Sequence, residues 1–215
     1  MRLRLVLEHP LPGAFEVGVF EAFLLAGART LYGATKLAAE LLIEEYAESF
    51  GIGAVINRCG VIAGPWQMGK VDQGVFTYWM LAHYFRRPLS YIGFGGHGKQ
   101  VRDLLHVEDL VDLIDDQLER PDHWRGTTFN VGGGLDCSLS LLETTELCRE
   151  LTGNAIELGR VAGTRPGDVP VYLSDCRGVF AHSSWRPRRG REDVLRAIFD
   201  WVHENERLVQ EALPQ

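Results

Sequence analysis

The sequence predicts an α/β protein built as one domain or as two closely packed lobes. Short apolar runs that are typical of buried strands alternate with longer segments whose apolar residues recur at helical spacing. The chain has 215 residues, of which 46% are hydrophobic and 24% charged, and these are ordinary values for a globular protein with its own core. No internal repeat interrupts the alternation.

Composition argues against several classes of protein. The net charge is −7 and the densest basic run, residues 186–191, is short, so no nucleic-acid partner is expected. The four cysteines form no C-x-x-C pair, which argues against a zinc ribbon and favours reduced thiols in the cytoplasm. No apolar run is long enough to span a membrane, and residues 8–10 interrupt the apolar start too early for a signal peptide.

The leader before Thr30 has no sustained hydrophobic period. Residues 3–7 are compatible with a strand, and residues 14–25 with a short helix or coil. A helix is predicted after Thr30, because apolar residues line one face, glutamates line the other, and Gly51 is a suitable C-cap. The apolar run 53–62 follows after a very short turn and predicts a buried parallel strand.

The middle of the chain predicts a helix, a hairpin and a second helix. Residues 75–85 show helical spacing. Residues 89–92 and 99–106 look extended on either side of a glycine-rich turn, which predicts a β-hairpin. Val107 then begins an amphipathic helix that Pro121 closes.

The last part of the chain predicts short strands and helices in alternation. Ser138 or Ser140 is expected to cap the first of these helices. Trp185 and Trp201 are interpreted as core anchors. The predicted elements are, in chain order, strand 127–131, helix 141–152, strands 156–161 and 171–173, and helices 176–182 and 192–208.

The helix after Thr30 carries Tyr32 and Lys36 one turn apart on the same face. A lysine ammonium beside a phenol favours the phenolate and lowers the tyrosine pKa, which gives an acid or base that works near neutral pH. The spacing is common in proteins, so an exposed pair without function is the alternative interpretation.

The glycine-rich turn at residues 93–99 spells both G-x-G-x-x-G and most of a P-loop. Both motifs require a helix to begin at once, whereas the next predicted helix begins only near Val107. Gln100 also stands where a P-loop needs a Ser or Thr hydroxyl for Mg²⁺. A hairpin turn without function is the simplest alternative to a phosphate loop.

Several segments together resemble one known family. Residues 98–109, GKQVRDLLHVED, closely resemble the nucleotide-sugar-binding segment of extended short-chain dehydrogenases/reductases, the NAD-dependent epimerase/dehydratase family. Residues 57–74, 129–142 and 164–175 resemble one branch especially, the CDP-paratose 2-epimerases, also called CDP-tyvelose epimerases. The matching segments follow the family's order along the chain.

The resemblance implies a role for each matching residue. Tyr32 would be the catalytic acid/base, and Lys36 would lower its pKa and bind the nicotinamide ribose of NAD. Cys59 would also belong to the cofactor site. Arg102 and Arg165 match arginines that hold the substrate diphosphate, for which guanidinium groups are well suited. A surface salt bridge is the alternative for these arginines.

Further positions complete the substrate site that the resemblance implies. Asp168 would help to order the diphosphate site, and Gln73 would face the sugar. Tyr91 and Phe94 lie where the nucleotide base usually packs. No metal site is expected.

The resemblance also divides the chain into parts. Residues 1–31 form an atypical leader, residues 32–64 and 104–135 belong to the Rossmann-like NAD-binding core, and residues 65–103 and 136–215 form the nucleotide-sugar lobe.

The sequence before Tyr32 departs from the family's pattern. It lacks the glycine-rich turn that holds the NAD pyrophosphate and the Ser or Thr that normally precedes the tyrosine. We therefore expect the chain to correspond to the C-terminal portion of a Rossmann-like enzyme without its N-terminal βα units. Strands near Val55 and Phe129 would then leave an exposed edge and uncovered apolar faces.

The resemblance implies NAD-dependent epimerisation of a CDP-linked deoxyhexose in the cytoplasm. A non-catalytic nucleotide-sugar-binding or interaction module is the main alternative, and a P-loop hydrolase is a remote third. Relatives that dimerise through the helix with the Tyr/Lys pair suggest a homodimer.

Overall fold

The computed structural model describes residues 14–15, 18–23, 25, 30–70 and 73–213. The strand predicted at residues 3–7 lies outside the described residues. The helices are α1 (Leu31–Phe50), α2 (Val75–Tyr84), α3 (Val107–Glu119), α4 (Pro121–Trp124), α5 (Leu141–Thr152), α6 (Arg177–His182), α7 (Arg191–Glu204) and α8 (Glu206–Ala212). The single helix predicted over residues 192–208 is interrupted at Asn205, whose side-chain amide donates to the carbonyl of Trp201 at 2.9 Å.

The leader contains strands where a short helix or coil was predicted. Two short strands, β1 (Ala14–Phe15) and β2 (Gly18–Val19), pair antiparallel. The reason is a tertiary contact, because the Val19 N–H donates to the carbonyl of Leu173 at 2.8 Å. Local sequence periodicity does not reveal a partner that lies so far along the chain.

The remaining strands form small, mostly parallel sheets. They are β3 (Val55–Cys59), β4 (Val61–Ala63), β5 (Leu89–Ile92), β6 (Val101–His106), β7 (Thr127–Val131), β8 (Ser138–Ser140), β9 (Leu158–Val161) and β10 (Val171–Tyr172). β6 pairs in parallel with β4 and β10 and antiparallel with β8. β3 pairs in parallel with β7, and β5 with β9. The predicted α/β class is confirmed.

The apolar run predicted as one strand over residues 53–62 is split at Gly60. The chain before Gly60 joins β7, and the chain after it joins β6. A Cβ atom at Gly60 would lie 2.9 Å from the Ser174 hydroxyl oxygen and 3.0 Å from the Asp103 carboxylate. Only glycine therefore fits at the point where the run passes from one sheet to another.

The hairpin predicted over residues 89–106 is wrong, because β5 and β6 do not pair with each other. The turn between them contains four glycines with positive φ, at positions 93, 95, 96 and 98. This turn is anchored to β9 and the segment after it. The Gly93 N–H donates to the Val161 carbonyl at 2.9 Å, and the Phe94 N–H donates to the Thr164 hydroxyl at 2.9 Å. The glycines thus carry the chain out of one sheet and into the next.

The core has two parts, and both predicted tryptophan anchors are confirmed in it. One part lies between α2, α5 and α7 and includes Trp201, which is 5% exposed. The other lies between α3, α4, α6 and β7 and includes Trp185, which is 8% exposed. The Trp185 indole N–H donates to the Asp109 carbonyl at 2.9 Å, so its polar group is satisfied inside the core.

Helix α1 stands apart from both parts of the core. Its predicted ends are confirmed, because the Thr30 hydroxyl caps the first turn and Gly51 adopts the left-handed conformation. None of its residues is buried, however, and Leu42 and Phe50 are 59% and 69% exposed. In the part of the chain that the structure describes, α1 therefore presents an uncovered apolar face. The uncovered faces were expected at the strands near Val55 and Phe129, but Phe129 is 9% exposed and Val55 is half-buried.

A buried histidine in α2 makes the stability of the fold sensitive to acid. The His83 side chain is fully buried, its Nδ1 lies 2.8 Å from the Trp79 carbonyl, and its Nε2 has no partner among the described residues. Burial lowers the pKa of His83 below its ordinary value of 6.5. Burial also lowers the pKa of His106, whose Nδ1 accepts the Glu108 N–H.

We expect the free energy of unfolding to fall as pH drops below about 6.5, because there the unfolded chain binds protons that the folded chain does not. The slope from His83 is at most about 1.4 kcal/mol per pH unit. His83→Gln should reduce this slope and leave the part due to His106. Urea unfolding of the parent and of His83→Gln at pH 7.5 and 5.5 measures the free energy of unfolding. An equal pH dependence in the two proteins would contradict the role of His83.

Candidate functional site

A cavity of about 620 Å³ lies between α2, β5, β6 and the turn at residues 165–168. Its polar wall comes from three parts of the chain that are far apart in sequence. The polar residues that line it are Tyr78, Ser90, Gln100, Arg102, Arg165 and Asp168. Three of them, Arg102, Arg165 and Asp168, are residues for which the sequence predicted a shared diphosphate site.

Arg102 is held in this wall by fixed hydrogen bonds. Its Nη2 donates to Asp168 Oδ1 at 2.9 Å and to the Val169 carbonyl at 2.7 Å, while Nη1 donates to the Val101 carbonyl at 2.8 Å. The side chain is 21% exposed. Burial lowers the pKa of Arg102 and the Asp168 carboxylate opposes this shift, so the guanidinium remains charged.

The turn at residues 165–168 brings Arg165 and Asp168 to the same wall. The Asp168 N–H donates to the Arg165 carbonyl at 3.2 Å, which closes the turn. Two guanidinium groups and one carboxylate then face one cavity, so the side chains of this wall carry a net positive charge. Such a wall is suited to an anionic group such as a diphosphate.

The structure does not bring Tyr91 and Phe94 into the cavity wall. Tyr91 is 5% exposed, its hydroxyl lies 2.8 Å from the Thr145 hydroxyl, and burial raises its pKa. Side chains alternate along a strand, so Ser90 and Ile92 line the cavity while Tyr91 points into the core. Contact of Tyr91 with a nucleotide base would require it to leave the core. Phe94 lies in the glycine-rich turn, outside the lining residues.

Gln73 and Cys59 also lie outside the cavity wall. Gln73 is exposed, and its backbone pairs with that of Lys70 in the loop before α2. Cys59 ends β3 and is half-buried, and burial raises the pKa of its thiol, so it is a neutral group at physiological pH. Their predicted contacts with sugar and cofactor stay predictions.

Tyr32 and Lys36 lie in the first turns of α1, on the same face as predicted. Tyr32 is 67% exposed, and Lys36 Nζ lies 5.5 Å from the centre of the Tyr32 ring, above its face. The start of α1 approaches the cavity turn, because a Cβ atom at Gly167 would lie 2.6 Å from the Thr30 methyl carbon. The helix with the Tyr/Lys pair thus begins beside the arginine-lined cavity.

Sequence reasoning missed Gln100 and Ser90 as wall residues. The Gln100 amide nitrogen donates to the Ile92 carbonyl at 3.1 Å and so links the cavity wall to β5. A signal for Gln100 was present, since it precedes Arg102 by two positions and residues two apart share one face of extended chain. For Ser90 the signal was its position next to Tyr91 on β5, because neighbouring residues of a strand point to opposite faces.

For the NAD that the resemblance implies, Tyr32 and Lys36 stay the predicted contacts with the nicotinamide ribose. The glycines after β7 form no pyrophosphate cradle, because a Cβ atom would lie 2.3 Å from Asp103 Oδ2 at Gly132 and 1.9 Å from the Leu104 carbonyl at Gly133. The chain's own atoms therefore fill that space.

The described ranges contain no group of three or more His, Cys, Asp or Glu side chains that could hold a metal ion. Among the helices of the same ranges, none is long and apolar enough to cross a membrane.

Two bacterial epimerases are similar to this chain over most of its length. CDP-paratose 2-epimerase of Salmonella typhi is 30% identical over 176 residues, which are 80% of this chain and 51% of that protein. UDP-glucose 4-epimerase of Corynebacterium glutamicum is 28% identical over 165 residues, 73% of this chain and 49% of that protein. The chain thus spans about half the length of the curated relatives it matches.

Solved structures share the fold. UDP-glucuronic acid 4-epimerase from Bacillus cereus, in complex with UDP-glucuronic acid and NAD, has a TM-score of 0.75 at 24% identity. The superposition covers 90% of this chain and 59% of that protein. UDP-glucose 4-epimerase from Thermus thermophilus, in complex with NAD, has a TM-score of 0.70 at 24% identity, with coverages of 88% and 60%.

A family model gives the assignment directly. The model described as the NAD dependent epimerase/dehydratase family matches residues 19–132, a range that includes the Tyr32/Lys36 pair, β3 to β7 and Arg102. This match covers more than half of the chain, and the protein therefore belongs to the NAD-dependent epimerase/dehydratase family.

Proposed function

We propose that this protein binds a nucleotide sugar in the cavity beside α2 and takes part in its NAD-dependent epimerisation. One observation carries the proposal: Arg102, oriented by Asp168, shares a cavity with Arg165 beside the start of the helix that bears Tyr32 and Lys36. In this proposal the cavity belongs to the nucleotide-sugar lobe, and β3 and β7 belong to the cofactor-binding core.

The two arginines would bind the diphosphate of the substrate. Arg102 donates three hydrogen bonds, to the carbonyls of Val101 and Val169 and to the Asp168 carboxylate. Because these bonds already fix its side chain, little side-chain entropy is lost when an anion binds to it. Asp168 keeps the Arg102 guanidinium in place, and the same ion pair offsets the negative charge of the Asp168 carboxylate. Fixed charges of this kind favour an anion without reorganisation of the site.

Tyr32 would exchange the proton of a sugar hydroxyl, and Lys36 would stabilise the phenolate form of Tyr32. General acid–base catalysis of this kind contributes about 10²–10⁴ in rate. The nicotinamide cofactor used by the family would supply hydride transfer when bound. The exposed position of Tyr32 leaves its hydroxyl accessible to a substrate that extends from the cavity.

A CDP-linked deoxyhexose is our proposed substrate, and the similarity to CDP-paratose 2-epimerase of Salmonella typhi supports it. A homodimer through α1 would cover the exposed apolar face of that helix. The cysteines are free thiols, which supports a location in the cytoplasm.

A non-catalytic nucleotide-sugar-binding module is the second candidate. The observation that favours it is that the charged cavity lies within the described residues, whereas the glycines after β7, Gly132 and Gly133, leave no room for a pyrophosphate. A binding module would bind CDP without NAD, whereas an enzyme would bind both and turn over its substrate.

Arg102→Ala should weaken CDP binding by about 10- to 100-fold, because it removes a charge-assisted contact and leaves Asp168 facing the anion. Isothermal titration calorimetry with CDP measures the change. Arg207→Ala is the matched control, because Arg207 is 93% exposed, pairs with Glu211 and is not one of the residues that line the cavity. Equal affinities of the two variants would contradict the proposed diphosphate site.

Tyr32→Phe should lower NAD-dependent turnover of the CDP-sugar by about 10²–10⁴-fold, since it removes only the acid/base hydroxyl. CDP affinity should stay unchanged, because the cavity arginines are untouched. Tyr46→Phe, on the same helix and 56% exposed, is the control and should retain activity. Product analysis by anion-exchange chromatography reports turnover of the CDP-sugar. A parent protein that binds CDP but does not turn over the CDP-sugar would favour the binding module.

A further inference from the structure

Apolar packing contributes little to the position of helix α1, because none of its residues is buried and Leu37 is only half-buried. Polar contacts are therefore the main ties of α1 that the described residues show. Among the described residues, Arg58 on β3 contacts Glu40 near the middle of α1, and Arg125 Nη2 donates to the Gly51 carbonyl at its C-cap at 2.7 Å. The contact in the middle of the helix is the more extensive of the two.

The Arg58–Glu40 contact is a bidentate ion pair. Arg58 Nε lies 3.0 and 3.2 Å from the two Glu40 carboxylate oxygens, and Nη2 donates to Glu40 Oε2 at 2.7 Å. The side chains are 25% and 18% exposed, so water screens the pair only in part. The hydrogen bond with Glu40 is also the largest cause that raises the pKa of Arg58.

Arg58 is also bonded to the leader and lies beside strand β7. Its Nη1 donates to the Glu21 carbonyl at 3.0 Å, and it lies opposite Asn130 in the parallel register of β3 and β7. Asn130 in turn donates its N–H to Glu21 Oε1 at 2.8 Å and its amide to the Val19 carbonyl at 2.9 Å. This network lies near the carboxyl ends of two parallel strands, the edge where open α/β sheets bind ligands.

We propose that Arg58 and Glu40 form a clamp that positions the helix bearing Tyr32 and Lys36 beside the arginine-lined cavity. Glu40 follows Lys36 by one helical turn, and Lys36 follows Tyr32 by one turn, so holding Glu40 also sets the rotation of α1. Arg58 and Glu40 are positioning residues that touch no substrate. The catalytic meaning of the clamp rests on the proposed function, but its geometry does not.

The alternative is an ion pair that only adds stability. Partly exposed pairs often contribute little, and such a pair would change the melting temperature without moving α1. The two cases differ in the location of the N-terminal end of α1 relative to the cavity turn. The test is therefore a distance rather than a stability.

Spin labels at Leu31→Cys and Val169→Cys, in a Cys59→Ser background, measure this short distance through the dipolar broadening of the continuous-wave electron paramagnetic resonance spectrum. Both label sites are exposed, Leu31 at 89% and Val169 at 43%. The parent should give a narrow distance distribution and Glu40→Gln a broad one. Amide exchange in the first half of α1 should become about tenfold faster in Glu40→Gln, as expected for the loss of a charge-assisted contact.

Glu48→Gln is the matched control, because it makes the same chemical change on an exposed residue of the same helix. It should keep the narrow distribution. Arg58→Gln removes the other partner and should broaden the distribution as Glu40→Gln does. A distribution in Glu40→Gln as narrow as in Glu48→Gln, or a narrow one in Arg58→Gln, would overturn the clamp.

The clamp and the proposed function are separated by measuring CDP affinity in the same variants without the label cysteines. The distance is recorded without nucleotide, so it tests the clamp whether or not CDP binds. Glu40→Gln should bind CDP as the parent does, because Arg102 and Asp168 are untouched. A parent that keeps the narrow distance but does not bind CDP would overturn the proposed function and leave the clamp intact.

Discussion

Strand β6 is the constraint on which the rest of the described structure depends. It pairs with β4, β8 and β10, and its alternation sends Arg102 to the cavity and Asp103 to the opposite face. Asp103 is fully buried and accepts the N–H groups of Gly134 at 3.1 Å and Ser174 at 3.3 Å. The buried carboxylate thus ties β6 to two loops. Arg102, the neighbouring residue, therefore extends into the cavity from a strand whose position is fixed.

The same alternation connects packing with chemistry. Burial raises the pKa of Asp103, and the glycines around it leave room for its carboxylate. On the other face, Arg102 keeps its charge because Asp168 lies beside it. A site that binds anions needs a fixed, charged donor, and a donor becomes fixed when neighbouring groups satisfy its other hydrogen bonds. The cavity meets both conditions within one strand and one turn.

Helix α1 is attached to this base in a different way. It adds the Tyr32/Lys36 pair to the edge of the cavity, yet its apolar face is exposed in the described chain. Its alignment depends on charge through the clamp formed by Arg58 and Glu40. The core is thus held by apolar packing, whereas polar contacts among the described residues hold the helix that bears Tyr32 and Lys36. A helix held in this way responds to single charge changes that leave the core intact.

The sequence by itself determined the α/β class, most helix ends and the residues of the charged cavity wall, because local spacing, caps and the family's motifs reside in short segments. Gly51 caps a helix as predicted, Ser140 is the one of two predicted serines that caps α5, and α1 begins directly after Thr30. Tertiary structure alone decided that β5 pairs with β9 and not with β6, that Gly60 splits one apolar run between two sheets, and that Tyr91 enters the core. The physical reason is that strand pairing and side-chain burial depend on partners distant in sequence, about which local periodicity carries no information.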